Sequence, residues 1–118
     1  MGLDTTHNAW HGSYSSFNKF RSWLGEQIGI NLKDYIGYGN DVGLELSSID
    51  HDLQPLFDHS DCDGELTPEQ CKQIADGIDS VLKTAPKDDF PYSHYQSAVE
   101  FRDGCLLAYS KNESMEFY

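Results

Sequence analysis

The sequence predicts a mainly α fold: a compact domain of three to four helices with a small two-stranded β patch. Three observations carry that expectation. Apolar residues recur at three- and four-residue steps in three separate stretches, the mark of a helical face. One of these stretches opens with a complete helix-start signal, Thr67-Pro68-Glu69-Gln70. The chain has 118 residues, which is one domain's worth and enough to bury a core of its own.

Taken in order, TTHNAWHG reads as a separate helical turn, because Gly12 weakens any continuous helix there. The first full helix begins near Ser13. Tyr14, Phe17, Phe20 or Arg21, Leu24 and Ile28 share one face, and Gly29 ends it. Residues 31–43 hold Gly37, Gly39, Asn40 and Gly43 and read as loop, with one helical turn at 32–36. Val42, Leu44 and Leu46 alternate, as do Met115 and Phe117, so the β patch is expected to join these two segments. Residues 49–57 are a short helix or irregular, since Pro55 limits regular structure. The second helix starts at the Thr67 capping box and carries Cys71, Ile74, Ala75, Ile78, Val81 and Leu82 on one stripe. The third runs from Pro91 or Tyr92 to Ser110, with Tyr95, Ala98, Val99, Arg102, Cys105, Leu106 and Tyr109 as its stripe.

Charge is unevenly distributed. The formal net charge is −12, and residues 41–71 supply −9 of it, with nine acids and no Lys or Arg. Such a block repels nucleic acid and attracts cations or a basic protein surface. No apolar run approaches the roughly 20 residues of a membrane span, and the start lacks the features of a signal peptide. The three cysteines, Cys62, Cys71 and Cys105, include no Cys-x-x-Cys pair. They fit a reduced, cytoplasmic chain rather than a disulfide scaffold.

DHSDCDGELTPEQC, residues 58–71, partly follows the calcium-loop template Asp-x-Asp-x-Asp-Gly-x5-Glu. With Gly64 as the turn glycine, Asp61 and Asp63 fall on ligand positions and Leu66 on the apolar one. The first carboxylate is then replaced by His59 and the last by Gln70. A hard cation loses two oxygen ligands in that register. A nitrogen-accepting metal loses fewer, and His59, Asp61 and Asp63 form the candidate metal set. In HNAWH, His7 and His11 stand four apart, on one face if helical, and could complete such a site. His7, Trp10, His11, Tyr14 and Arg21 also make an aromatic, donor-rich surface suited to a flat polar ligand, with His59 and Glu65 of the 59–65 loop folded against it. Catalysis has little support. There is no nucleophile elbow, phosphate loop or dinucleotide fingerprint, and the carboxylates around Cys62 blunt its thiol.

GLDTTHNAWHGSYSSFNKFR and HSDCDGELTPEQC together resemble a family of small uncharacterised bacterial and phage proteins. These open with Gly-Leu-Asp-x-x-His-x-x-Trp-His-Gly and carry a central His-Ser-Asp-Cys-Asp-Gly-Glu. The resemblance covers about 30 of the 118 residues, and residues 41–52 depart from the pattern. It implies a phage setting and a small protein acting on a host molecule. The leading expectation is therefore a non-enzymatic binding protein, in one version a counter-defence protein sequestering a nucleotide-type ligand. The alternatives are a metal-binding protein or metal-dependent hydrolase at His59/Asp61/Asp63, and an acidic inhibitor of a basic host protein.

Overall fold

The computed structural model describes residues 3–35, 43–59, 64–84 and 94–118. The chain opens with strand β1 (Leu3–Asp4), makes a 3-10 turn over Thr6–Asn8, and returns as β2 (His11–Gly12). The pair is antiparallel, with Leu3 opposite Gly12 and Asp4 opposite His11. Two consecutive residues, His7 and Asn8, take positive φ (62° and 55°) to close this tight return. That conformation is unfavourable for a side-chain-bearing residue but most tolerated by Asn, Asp and His.

Helix α1 (Tyr14–Gln27) starts where Ser13 caps it, the hydroxyl accepting from the Ser16 backbone N–H. Phe17, Phe20, Trp23 and Leu24 bury its inner face, and Gly29 at φ +80° ends it. A 3-10 turn over Leu32–Asp34 follows, then another over Leu46–Ser48, and the short α2 (Gln54–Phe57) begins around Pro55. Strand β3 (Glu65–Leu66) leads directly into α3 (Pro68–Leu82). Its capping box is complete: Thr67 Oγ1 accepts from Gln70 N, and Gln70 Oε1 accepts from Thr67 N at 2.9 Å. Helix α4 (His94–Ser110) packs along α3, and the chain closes through β4 (Met115–Glu116).

The β patch exists, but its partner differs from the expected one. Met115 pairs with Leu66 and Glu116 with Glu65, while Leu44, among the described residues, makes an isolated parallel bridge to Tyr35 and is exposed. Gly43 turns the chain at that point, and Leu46 opens a helical turn instead of continuing an extended run. Val42 lies outside the described residues. Leu66 and Met115 win because both are fully buried, so pairing them covers core on one face.

The α4 stripe is also rotated from the expected one. Ala98 and Cys105 are buried as read, but so are Phe101, Gly104 and Ala108, whereas Leu106 and Tyr109 are exposed. Phe101 must reach the aromatic cluster, where its ring lies 6.3 Å from Phe17 and 5.9 Å from Phe20. Burying that ring outweighs burying Leu106, and it sets the rotation of the helix. Trp10 stacks on Phe20 at 5.2 Å and Phe117 meets Phe17 edge-on at 5.9 Å, so one aromatic core joins both ends of the described chain to α1.

Candidate functional site

The segment of residues 6–9 is pressed onto α4, and Gly104 is what allows it. A Cβ at 104 would lie 2.6 Å from Ala9 Cβ and 2.8 Å from Ala9 Cα. Beside that contact an open cleft of about 430 Å³ is lined by His7, Asn8, His11, Glu100, Asp103, Gly104 and Leu107. Two parts of the chain build it. The β1–β2 hairpin supplies the histidines and Asn8, and one ridge of α4 supplies the rest.

The two histidines reach the cleft separately, not from one helical face. His7 is on the 3-10 turn and His11 is on β2. His11 Nδ1 donates to Asp4 Oδ1 at 2.8 Å across the hairpin, and both side chains are about half exposed. His7 is held more tightly, with its side chain only 10% exposed. Its Nε2 lies 2.9 Å from Glu113 Oε1 and its Nδ1 lies 2.8 Å from Thr6 Oγ1. Thr6 Oγ1 in turn accepts from the Glu116 backbone N–H at 3.0 Å. The Glu113 carboxylate only accepts, so Nε2 donates to it, and in the neutral imidazole Nδ1 then accepts the Thr6 hydroxyl hydrogen. The His7 hydrogen bond holds the Glu113 carboxyl below the usual carboxylate range, against a small opposing effect of burial.

Hydroxyl, imidazole and carboxylate in series is the order of a nucleophile relay. Here, however, the hydroxyl faces the Glu116 backbone and Thr6 does not line the cleft. The series acts as a lock between residues 6–7 and 113–116.

The remaining candidates divide between core and loop. Trp10 is half-buried in the aromatic cluster; its Nε1 is buried against Gly12 and finds no hydrogen-bond partner among the described residues. Tyr14 is half-buried against the core. Arg21 is buried, 4% exposed, over the Phe17 ring at 4.6 Å. Its guanidinium donates to the carbonyls of Leu56 at 3.2 Å and His59 at 2.6 Å, and also to Asn18 Oδ1. Those carbonyls lie at and just past the end of α2, where helix geometry leaves C=O groups unpaired. Arg21 thus fastens the loop entrance to α1.

His59 faces inward. Its ring sits 4.1 Å from Phe117, and Nε2 lies 3.2 Å from the Glu65 carbonyl, to which it must donate because a carbonyl only accepts. Gly64 takes φ +94°, a conformation that favours glycine, while the loop before it, residues 60–63, lies outside the described residues. Gln70, at the last ligand position of a calcium loop, spends its side-chain oxygen on the Thr67 cap. Asp61 and Asp63 lie outside the described residues. Among the described residues no group of three or more His, Cys, Asp or Glu is placed to hold a metal ion. Glu65 is exposed, directly opposite Glu116 in the register of the β3–β4 pair.

Five cleft residues escaped the sequence reading: Asn8 on the hairpin, and on α4 the set Glu100, Asp103, Gly104 and Leu107. The α4 set, spaced 3, 4 and 7, does mark one helical ridge. The ridge is polar with a glycine at its middle, so a search for apolar stripes passes over it.

No family model matches the chain, and no curated protein or solved structure matches it.

Proposed function

We propose that this protein is a non-enzymatic binding protein that takes a basic group of a protein partner into the cleft between the β1–β2 hairpin and α4. The lining carries this reading: His7 and His11 together with the exposed Glu100 and Asp103, and no Lys or Arg among the described lining residues. Arg102 is adjacent, but it is bonded to Asp79 and Asp103 and does not line the cleft. A lysine or arginine fits such a lining, with its methylene stem along Leu107 and its head among the carboxylates. A nucleotide would bring phosphates against Glu100 and Asp103, so charge favours the basic partner over the nucleotide-type ligand.

The wider surface supports the same choice. Glu45, Asp50, Asp52, Asp58, Glu65 and Glu69 are all exposed and would steer a basic surface towards the molecule. The resemblance to small phage proteins supports a host protein as that partner, with the acidic protein acting as its inhibitor.

A short oligolysine peptide, titrated by calorimetry, tests the reading. Binding is expected at low salt, weakening about tenfold or more between 50 and 200 mM salt. The double variant Glu100→Gln/Asp103→Asn should lose several-fold in affinity. A control, Glu26→Gln/Asp34→Asn, removes the same charge at exposed positions outside both the cleft and the acidic 41–71 block and should lose little. Equal losses in the two double variants would show that the peptide reads only net charge and would overturn the cleft as the site.

A further inference from the structure

Helix α4 is apolar on two sides. Phe101, Cys105 and Ala108 face the core. Yet among the described residues five large hydrophobic side chains are exposed, and three of them, Leu106, Leu107 and Tyr109, fall on one turn of this helix. A single exposed leucine needs no explanation. A helix that is apolar all round, with carboxylates beside its exposed leucines, has the pattern of a contact surface.

The outward stripe also has the period of helix packing. Val99, Asp103, Leu106 and Ser110 follow at steps of four, three and four, the spacing by which one helix seats another. Val99 is half-buried and the other three are exposed. Leu107 joins the stripe to the cleft, which it lines together with Glu100 and Asp103. The stripe therefore continues the cleft along α4, apolar at Val99, Leu106 and Leu107 and acidic at Glu100 and Asp103. Arg102 is already bonded to Asp79 and Asp103. A second copy of the chain would bring another −12 against the first, so charge selects an occupant of the opposite sign.

We propose that the outward face of α4 docks a basic amphipathic helix of the protein partner. Apolar side chains of that helix lie on Val99 and Leu106. A neighbouring lysine or arginine runs its stem along Leu107 to reach Glu100 and Asp103. The inference rests on the cleft as the site of a basic group, and it narrows the partner to one that carries this group on a helix with an apolar face. The carboxylates set the sign and the salt dependence of binding. The leucines add contact that salt does not screen.

Two lysine–leucine peptides of identical composition, titrated into the full chain by calorimetry, test the proposal. In one the leucines fall at three- and four-residue steps; in the other they are out of that period. The first should bind about tenfold tighter or more, since only it presents an apolar face when it forms a helix. Leu106→Gln keeps a good helix former at an exposed position and should remove most of that difference. Leu44→Gln removes an exposed leucine elsewhere and should leave both affinities within about twofold of the parent. Oligolysine has no apolar side chain, so it should bind Leu106→Gln as it binds the parent, which keeps this test separate from that of Glu100→Gln/Asp103→Asn. Equal affinities for the two peptides, or equal losses in Leu106→Gln and Leu44→Gln, would overturn the docked helix while leaving the cleft reading in place. Dimerisation of the parent in sedimentation, lost in Leu106→Gln, would assign the stripe to a second copy and overturn the proposal as well.

Discussion

Arg21 shows how one side chain can organise a region that has little regular structure of its own. Residues 46–59 contain only a 3-10 turn and the four-residue α2. What fixes the end of that segment is a buried guanidinium shared among the Leu56, Phe57 and His59 carbonyls. Arg21→Ala would remove these bonds together with the packing over Phe17, and it is expected to lower unfolding free energy by on the order of 3–5 kcal/mol in urea titration. Arg21→Lys should restore only part of it, because Nη1 meets the three carbonyls while the Nη2 bond to Asn18 and the stacking over Phe17 need the guanidinium. Glu113 gives a pH-dependent counterpart. Its carboxyl is held below the usual range by His7, so its contribution is fully present above the ordinary carboxylate pKa of about 4.3. It is lost as pH falls through the lower value of the folded state. Urea midpoints of Glu113→Gln should therefore fall less steeply than those of the parent between about pH 5 and pH 3. At this scale the sequence was legible for caps and turns, such as Ser13, Thr67 and Gly64, whose chemistry is local. It was not legible for Arg21 or His59, which resemble ligand-binding side chains until their carbonyl partners, 35 or more residues away for Arg21, come into view.

Among the elements, α3 was readable almost to the residue, because its cap and apolar stripe agree about where it starts and which face it buries. Helix α4 ends at Ser110 as expected, its expected start at 91–92 lies outside the described residues, and its buried face was turned wrongly. Its sequence offers two overlapping stripes, and only the tertiary position of Phe101 and Gly104 selects between them. The β patch was expected and is present, but the partner of its 115–117 strand was misread for a related reason. Two residues per strand leave almost no periodicity to read, and pairing is decided by which apolar side chains face the core. Gly104 is the sharpest test of this account. In an isolated helix, alanine there would be favourable by about 1 kcal/mol. Here Gly104→Ala drives a methyl into the Ala9 backbone and side chain, where nothing flexible can give way. We expect a net loss of about 1–3 kcal/mol in thermal unfolding. Faster hydrogen exchange confined to residues 5–10 would show that the hairpin lifts from α4 first.

Across the whole molecule, the radius of gyration of 13.3 Å is that of a fully condensed chain of this length, although the net charge is −12. Like charges even stand opposite one another, Glu65 across from Glu116, an arrangement that costs stability in a strand pair. Screening should therefore help the fold. Raising salt from 20 to 200 mM is expected to raise Tm by a few degrees, while the same change weakens binding of a basic partner. A fall in Tm would mean that attractive ion pairs such as Lys72–Asp76 and Arg102–Asp79 outweigh the repulsion. Beyond charge, residues 3–7 are completed only by residues 113–118. Asp4 and Tyr118 exchange both backbone hydrogen bonds at 2.9 Å, Thr5 bridges Phe117, and His7 meets Glu113. Segments so far apart in sequence set the order of events during synthesis. At roughly 5–20 residues per second, the hairpin waits many seconds on the ribosome for its partner to be made. The histidine cleft is thus among the last parts of the molecule to exist, and a nascent chain stalled before residue 113 should lack it altogether.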